Sequence, residues 1–378
     1  MADSVDIVVV GGGIIGLAVA REAARAGLRV VLLEKGRPGC EASSAAAGML
    51  SPQADAERTD PLLSICLASR DLYPEFAGRV ASESGVDPRL ADHGTIVVAR
   101  DRAEADRLRR MQVFQREAGL TVELLDAGDA LRLEPSLSET TTAALFLPRD
   151  PSIDNVLLVR ALAVAAERAG ARLRPGTAAT RLLIDRSRIV GVEAGGERLH
   201  GAAIVLAAGA WTGLIEGEGV APVPSHPVRG QMTSVRAPAP RHAVVGGDCY
   251  LVPRRDGRLL IGSTMERVGF DRRVTPDAIA ALTAAACDLV PGLRQAPRLE
   301  TWAGLRPATD DDLPAIGFGA LPGLLYAFGH LRNGILLAPI TARIVVRLLR
   351  GEDPEVDLSA FDPQRFARGG RRAEAPSG

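Results

Sequence analysis

Short apolar runs alternate with longer stretches of helical periodicity along the chain. The run from Asp6 to Val10 is rich in β-branched side chains and predicts a buried strand. A helical pattern follows from Ile14 to about Ala26, and a second apolar run extends from Arg29 to Leu33. A strand, a helix and a second strand in this order predict a β–α–β unit at the start of a parallel sheet.

The turn inside this unit has the G-x-G-x-x-G spacing of a dinucleotide-binding site. Gly11 permits the tight turn, Gly13 lets the backbone approach a pyrophosphate, and Gly16 lets the helix pack against the strand. Glu34 ends the second strand, where its carboxylate can accept hydrogen bonds from a ribose. Because the chain contains 40 glycines, an ordinary strand-to-helix turn is the alternative, but the flanking elements and Glu34 favour a dinucleotide.

The same periodicities predict the rest of the fold. Helices are predicted over residues 60–84, 102–118, 155–169 and 276–290 and over a C-terminal stretch ending at Leu349. Strands are predicted over residues 93–100, 141–148, 229–236, 243–253, 258–263 and 324–327, with a strand–turn–strand–turn–strand pattern over residues 172–209. We therefore expect an α/β (α+β) chain, in which a Rossmann-like domain assembled from separated segments is interleaved with an antiparallel-sheet substrate domain.

The length of 378 residues suits two domains. The dinucleotide-binding domain is expected to comprise residues 1–85, 150–225 and 300–365. The substrate-binding domain is expected to comprise residues 86–149 and 226–299. The stretch 366–378 is rich in Arg, Gly, Ala, Pro and Ser, and we expect it to be a disordered tail.

Composition excludes several classes of function. A net charge of −1 and an aromatic content of 3% argue against a nucleic-acid partner. Hydrophobic residues make up 47% of the chain, yet no apolar run is long enough to span a bilayer, and no signal-peptide pattern precedes the first strand. The four cysteines form no C-x-x-C pair, which fits a reducing cytosol, and neither they nor the histidines have metal-ligand spacing. We expect a cytoplasmic protein without a metal.

Two further stretches indicate an extended cofactor. The segment 35–53 is rich in small residues, and a bulky ligand could lie along it; a flexible Ala/Ser linker is the alternative. The apolar run before Trp211 ends in Ala208 and Gly209, which indicates that the sheet returns to the cofactor there. The last helix begins near His330 to Gly334, and the positive end of its dipole could face a flavin, although Asn333 and Gly334 also fit a purely structural helix start.

Three residues together could bind a small amino acid. Arg306 lies two residues after Gly304 and directly before Pro307, so its backbone is restrained and its guanidinium could form a bidentate pair with a carboxylate. Tyr250 could donate its hydroxyl to the same carboxylate, and Arg332 could contact the ligand from the flavin side. Taken singly, they could equally be a surface arginine, a tyrosine at the edge of the core and an arginine at a helix start.

Five strings in order, VGGGIIG, SSAAAGML, YLVPR, GLRP and GHLRNGILLAP, make the chain resemble the glycine oxidases, within the D-amino-acid oxidase group of FAD flavoproteins. The resemblance extends from Val5 to about Leu349. It implies that the dinucleotide is FAD and that the Rossmann-like domain is an FAD-binding domain. The cofactor contacts it implies, together with the glycines above, are Ile14, Ile15, Glu34, Lys35, Ala42, Ser43, Ala47, Gly48, Met49, Ala179, His330, Leu331, Arg332, Asn333, Gly334, Ile335 and Leu336.

The resemblance also implies an activity. Glycine, and with it sarcosine or small D-amino acids, would be oxidised by hydride transfer to flavin N5, and O2 would reoxidise the flavin to give hydrogen peroxide, ammonia and glyoxylate for the thiazole branch of thiamine synthesis. Arg306, Tyr250 and Arg332 would form the catalytic site, with Met49 and Met265 as walls of the substrate pocket. A homo-oligomer is implied as well.

Two departures qualify this expectation. Asp248 stands where a glycine oxidase can carry histidine, which leaves the substrate preference open. Residues 308–313 contain no cysteine, so we expect noncovalent FAD. Two other functions stay open: an FAD-dependent D-amino-acid dehydrogenase that passes electrons to a quinone or a protein, and a noncatalytic flavin-binding module.

Overall fold

The computed structural model describes residues 5–220, 223–238, 240–247 and 249–369. Asp248 and most of the expected disordered tail, residues 370–378, lie outside the described residues.

The described strands and helices follow the predicted order closely. The strands are β1 (Val5–Val10), β2 (Val30–Leu33), β3 (Thr95–Ala99), β4 (Glu123–Asp126), β5 (Ala143–Leu147), β6 (Arg172–Arg174), β7 (Ala179–Asp185), β8 (Arg188–Ala194), β9 (Glu197–Leu206), β10 (His226–Arg236), β11 (Ala243–Gly246), β12 (Cys249–Pro253), β13 (Arg258–Gly262), β14 (Arg298–Ala308), β15 (Ala315–Phe318) and β16 (Leu324–Phe328). The helices are α1 (Ile14–Arg25), α2 (Ala42–Ala45), α3 (Pro61–Ser84), α4 (Arg102–Glu117), α5 (Ala127–Leu133), α6 (Asn155–Arg168), α7 (Pro276–Leu289), α8 (Gly334–Leu349) and α9 (Arg365–Gly369).

The first sheet has the order β15-β16-β9-β1-β2-β6 and is parallel from β16 to β6. The strands β7 and β8 form a hairpin that extends it through β9. Both faces of β1 are covered: Ile7 and Val9 belong to the core with α1, α3, α6 and α8, and Val8 and Val10 to the core under the hairpin. Because both faces of such a parallel strand are buried, its sequence is a continuous apolar run, as in the three consecutive valines of β1.

The second sheet has the order β14-β10-β13-β12-β11-β3-β5-β4. Its pairs are antiparallel except β11 with β3. Helix α7 covers one face, where Ile279, Leu282 and Ala286 pack on residues of β12 and β13. Part of the opposite face contacts the segment 35–53, which we call the small-residue loop, because Ala47 packs with Met232 of β10.

The predicted fold class is confirmed, and individual elements differ from the expectation. The expected first strand of residues 172–209 is divided into β6 and β7 by Pro175 and Gly176, whose φ of 69° only glycine adopts freely. The expected strand over residues 243–253 is two strands that reverse at Gly247. The strands β4, β14 and β15 and the helix α5 were not predicted.

The most consequential omission is β14, which pairs with β10 along its whole length. It escaped prediction because its first four residues are exposed and because glycine and proline are poor strand formers. It continues the second sheet to Ala308, beyond the expected boundary at residue 300, although the division into domains stays a prediction. Residues 366–369 of the expected tail belong to α9 instead. Arg365, the first residue of α9, donates its Nε–H to Asp311 Oδ2 at 2.7 Å.

Across the described residues, no helix is both long and apolar enough to cross a membrane. The same part of the chain contains no group of three His, Cys, Asp or Glu side chains that could hold a metal ion.

Candidate active site

A cavity of about 1250 Å³ is lined by residues of both sheets. One end lies at the turn after β1, and the other lies over β10, β12, β13 and β14. Every described site residue that the sequence predicts lines this cavity except Gly16. The residues that sequence reasoning missed include Asp55, Trp211, Ser263 and Thr264.

Close backbone contacts build the first end. Gly11 has a φ of 110°, and a Cβ there would lie 2.3 Å from the carbonyl oxygen of Ala207 on the neighbouring chain segment. A Cβ on Gly16 would lie 1.8 Å from the carbonyl oxygen of Gly11, so Gly16 allows α1 to pack on the turn. Gly11 and Gly13 line the cavity and Gly16 does not, because Gly16 lies against Gly11. A cofactor contact of Gly16 stays a prediction.

The Glu34 carboxylate closes this turn. Its Oε2 accepts a hydrogen bond from the Gly12 N–H at 2.7 Å, and its Oε1 accepts one from the Gly36 N–H at 2.8 Å. A carboxylate has about four lone-pair positions, so acceptor capacity remains for ligand hydroxyl groups. The side chain is buried and lines the cavity, which places an acceptor where a ribose is expected.

Hydrogen bonds and close packing hold the small-residue loop against its neighbours, which argues against the flexible-linker alternative. Ser43 Oγ accepts from the Ile14 N–H at 2.9 Å, and a Cβ on Gly304 would lie 2.4 Å from the Cβ of Ala45. The small side chains therefore let α2 approach β14 closely. Gly48 has a φ of 70°, and a Cβ there would lie 2.0 Å from the carbonyl oxygen of Ile153.

Arg254, which follows β12 of the second sheet, and Asn155, the first residue of α6, hold this loop. Arg254 Nη2 donates to the Ala47 carbonyl at 2.7 Å and to Asn155 Oδ1 at 2.8 Å, while Asn155 Nδ2 donates to the Ser43 carbonyl at 2.8 Å. Burial lowers the pKa of Arg254 to about 10, which leaves the guanidinium charged at neutral pH. Sequence reasoning missed both residues, although Arg254 ends the YLVPR string.

Other predicted contacts lie along the same cavity. The Thr177 N–H donates to the Glu34 carbonyl at 2.8 Å, which brings Ala179 to the cavity wall. Gly209, with a φ of 57°, begins the 3-10 helix Gly209–Leu214. Lys35 Nζ lies 3.1 Å from Glu41 Oε1 and 3.2 Å from the centre of the Trp211 ring.

The start of α8 forms a second part of the wall. Leu331 has a φ of 44° and donates its N–H to the Pro307 carbonyl at 2.8 Å. Gly334, Ile335 and Leu336 line the cavity with the first turn of the helix, whose N–H groups have no partner within the helix. This wall is therefore electropositive and can stabilise an anionic group.

His330 precedes this turn and is buried, with Nε2 at 3.1 Å from Thr341 Oγ1. Burial lowers the pKa of His330 to about 3. The imidazole is therefore neutral at neutral pH, and the positive potential of this wall comes from the helix.

Arg306 lies on the floor of the second end. Its Nη1 donates to the Thr264 carbonyl at 3.0 Å, and its Nη2 donates to Ser263 Oγ. A Cβ on Gly230 would lie 2.2 Å from Nη1, so glycine at this position of β10 makes room for the guanidinium. The backbone of Arg306 is fixed by strand pairing between β14 and β10 and not merely by Gly304 and Pro307 near it in the sequence.

A glycine on the neighbouring strand also makes room for the side chain of Tyr250 on β12. A Cβ on Gly262, its partner in β13, would lie 2.7 Å from the Tyr250 hydroxyl oxygen. Two glycines in adjacent strands thus make space for the two polar side chains that the sequence singled out. Met49 packs near Tyr250, and Met265, with 53% of its surface exposed, forms an outer wall.

Arg332 lies at the mouth of the cavity. Its Nη1 is 3.0 Å from Asp55 Oδ2, and more than half of each side chain is exposed. Arg332 therefore already has a carboxylate partner in this structure, whereas both Arg306 partners are uncharged.

The residues present fit FAD. The cavity has a β–α–β turn with a buried carboxylate at its first end, and the electropositive start of α8 forms another part of its wall. The N-terminus of α1 suits a pyrophosphate, the Glu34 oxygens suit a ribose, and the α8 turn suits an electron-rich ring carbonyl. The fold and this donor set define an oxidoreductase that uses a flavin dinucleotide.

Comparison with known proteins agrees. The chain belongs to the FAD-dependent oxidoreductase family, because the family model described as FAD dependent oxidoreductase matches residues 6–348. It is 38% identical to a glycine oxidase of Geobacillus kaustophilus over 97% of this chain and 98% of the relative. The crystal structure of glycine oxidase from that organism superimposes with a TM-score of 0.91 over 96% of this chain and 99% of that one. A bifunctional protein ThiO/ThiG of Trichormus variabilis is 34% identical over 96% of this chain and 55% of its own length.

Proposed function

We propose that this protein is an amino-acid oxidase that converts glycine, O2 and water to glyoxylate, ammonia and hydrogen peroxide. The observation that carries the proposal is the Arg306 guanidinium, which lies over Gly230 at one end of the cavity and has only uncharged partners among the described residues. The names of the relatives above support glycine as the substrate, and small D-amino acids and sarcosine stay within the proposal.

The chain's own residues would bind and orient the substrate. Arg306 would form charge-assisted hydrogen bonds with the carboxylate, and the Tyr250 hydroxyl would donate to the same group. Met49 and Met265 would limit the space around Cα, which favours substrates without a large side chain. Arg332 would contribute positive potential from the mouth of the cavity.

Bound FAD would supply a two-electron acceptor, so that the protein need only hold the amine carbon in position. The first turn of α8 would place its unpartnered N–H groups toward the flavin carbonyl region and stabilise negative charge there. A buried, neutral His330 beside this turn adds no competing charge.

We infer that FAD binds noncovalently. The segment 308–313 has no cysteine. Cys249 lines the cavity, but burial raises the pKa of its thiol to about 12, and a protonated thiol is a poor nucleophile.

The wider setting also stays a proposal. The match to a ThiO/ThiG protein and the resemblance to thiamine-linked glycine oxidases support a role in supplying thiazole synthesis. A cytoplasmic location and a homo-oligomer stay predictions.

The test is anaerobic addition of glycine, sarcosine and small D-amino acids to the purified holoenzyme, followed by flavin absorbance. We expect glycine to bleach the flavin and air to restore it with one peroxide per glycine. No bleaching by any of these amino acids would overturn the proposal. Fast reduction of an artificial dye with slow reaction toward O2 would instead identify a dehydrogenase, and full function in Arg306→Ala would identify a noncatalytic module.

A further inference from the structure

The chain leaves β13 through a bulge. Met232 of β10 pairs with Gly262, and Arg229 of β10 pairs with Glu266. Between these two pairs β10 advances three residues (229 to 232), whereas the facing segment advances four (262 to 266). An extra residue on one strand bends that strand and redirects the groups around it. We call residues 263–266 the bulge segment.

The bulge segment supplies both partners of the Arg306 guanidinium. Ser263 Oγ accepts from Nη2, and the Thr264 carbonyl accepts from Nη1 at 3.0 Å. Gly230, which lies beneath the guanidinium, has no side chain that could orient it. The direction in which Arg306 points therefore depends on how the bulge segment is held.

Gln231 holds the bulge segment. Its backbone N–H donates to Thr264 Oγ1 at 2.9 Å, and its side-chain Nε2 donates to Glu266 Oε1 at 2.8 Å and to Thr275 Oγ1 at 3.1 Å. Its Oε1 accepts from the Thr275 N–H at 2.7 Å. The residue is completely buried, so one amide fastens both ends of the connection between β13 and α7.

Arg229 completes the arrangement on the same side of β10. Its Nε donates to Glu266 Oε2 at 2.8 Å, and its Nη1 donates to the Arg273 carbonyl at 3.0 Å. Burial acts to raise the pKa of Glu266, but hydrogen bonds from Thr264, Arg229 and Gln231 outweigh it and lower the pKa below its ordinary value. Each carboxylate oxygen thus has its own donor.

We propose that Gln231 is a positioning residue: by fixing the bulge segment it sets the orientation of Arg306 and thereby the affinity for the substrate carboxylate. The inference rests on the proposed function, since it takes Arg306 as the carboxylate ligand. Gly230 and Met232 line the cavity on either side of Gln231, whose own side chain points to the other face of β10. Gln231 therefore acts through Arg306 and not on the reacting atoms.

The test uses the holoenzyme and Gln231→Met, which keeps the length of the side chain and removes the amide. Acetate has a carboxylate but no amine to oxidise, so a titration of flavin absorbance with acetate measures the carboxylate site without turnover. We expect the acetate Kd and the KM for glycine to rise about tenfold or more in the variant, with FAD retained and kcat at saturating glycine changed much less.

Thr233→Val is the matched control. Thr233 is also completely buried on β10 and donates its hydroxyl to the Glu300 carbonyl at 2.9 Å, away from the bulge segment. Its acetate Kd should equal that of the parent. An unchanged acetate Kd in Gln231→Met, or an equal rise in Thr233→Val, would overturn the inference.

Glu266→Gln tests the same inference if Gln231→Met does not fold with bound FAD. This isosteric change leaves one oxygen to accept from Gln231 or Arg229 and weakens the anchor without opening a cavity. We expect a smaller rise in acetate Kd, and no rise would overturn the inference. If the parent holoenzyme itself binds no acetate, the assignment of Arg306 in the proposed function fails, which is a different result.

Discussion

The two ends of the cavity are built from very different stretches of chain. The dinucleotide end comes mainly from the continuous segment between β1 and Gly36, in which Gly11, Gly16 and Glu34 contact one another or the chain beside them. The substrate end comes from separate strands, where Arg306 of β14 lies over Gly230 of β10 and is held by the bulge segment. The first end is specified locally, and the second depends on strand register.

This difference determines which changes each end tolerates. At the dinucleotide end the critical distances join backbone atoms, which cannot move without the strand and helix that carry them. At the substrate end the critical contacts are made by side chains over glycines, so the sheet can stay intact while the position of a guanidinium changes. Loss of structure is the expected failure at the first end, and loss of ligand affinity is the expected failure at the second.

The largest effect is expected at Gly16. In Gly16→Ala the new Cβ would lie 1.8 Å from the Gly11 carbonyl oxygen, so α1 must shift away from the turn. We expect destabilisation of about 3 kcal/mol or more and loss of bound FAD, measured by thermal unfolding and flavin content. Gly78→Ala is the control, because Gly78 is also helical with nothing within 4 Å of its Cβ position. It should stabilise by about 0.5–1 kcal/mol, and an equal loss in both variants would contradict the steric explanation.

Arg306→Ala tests the other end. Removing the charged partner of a carboxylate costs roughly 2–5 kcal/mol, which corresponds to a rise of about 30-fold or more in the KM for glycine. Thermal stability and flavin content should stay near those of the parent, since β14 keeps its backbone pairing. Arg267→Ala, which removes an exposed arginine paired with Asp312, is the control and should leave KM unchanged. An Arg306→Ala protein that loses FAD instead would show that the two ends are not separable.

The sequence predicted these two ends unequally. The glycine spacing and Glu34 identify the first end because the contacts of Gly16 with Gly11 and of Glu34 with Gly12 lie within one β–α–β unit. Arg306 and Tyr250 were found as residue types, but β14 was missed, and with it the reason why Arg306 points into the cavity. Gly230 and Gly262 could not be recognised as space for side chains without the pairing of β10, β12, β13 and β14. Ser263 and Thr264 have no local signal in the sequence, and the YLVPR string that ends in Arg254 does not show that this arginine reaches the segment 35–53.

His330 provides a pH test at the α8 wall. Its pKa is lowered by burial to about 3 in the folded protein and is about 6.5 when unfolded. The unfolded state therefore binds the additional proton between these values, and stability falls as the pH drops below about 6.5, by up to about 1.4 kcal/mol per pH unit. His330→Gln should lower the slope of stability against pH in denaturant titrations between pH 7 and 5, a range of about two units over which His330 alone contributes a loss of about 2 kcal/mol. Replacement of the exposed His93 by Gln should leave the slope as it is; a slope unchanged in His330→Gln would refute the assignment.

Arg254→Met tests whether the second sheet helps to hold the cofactor loop. The change leaves the Ala47 carbonyl and Asn155 Oδ1 without their buried donor, so the loop should loosen. We expect FAD to bind about tenfold more weakly, a loss of about 1.4 kcal/mol, measured by titrating apoprotein with FAD. Arg255→Met alters the next residue, whose exposed guanidinium is 3.9 Å from Asp87, and should bind FAD like the parent. Equal FAD affinity in both variants would show that Arg254 does not contribute to FAD binding.

The smallest effect is expected at Arg332, although the sequence analysis assigns it to the catalytic site together with Arg306. Its ion pair with Asp55 is more than half exposed on both sides, and such pairs contribute about 0–1 kcal/mol. Arg332→Met should therefore raise the KM for glycine by no more than about fivefold, and the rise should shrink at high salt because exposed charges are screened. Asp55→Asn separates the two roles of the arginine: it removes the pair and leaves the positive charge at the mouth, so KM should fall slightly. A rise in Arg332→Met as large as in Arg306→Ala would mean that Arg332 leaves Asp55 and contacts the carboxylate directly when substrate binds.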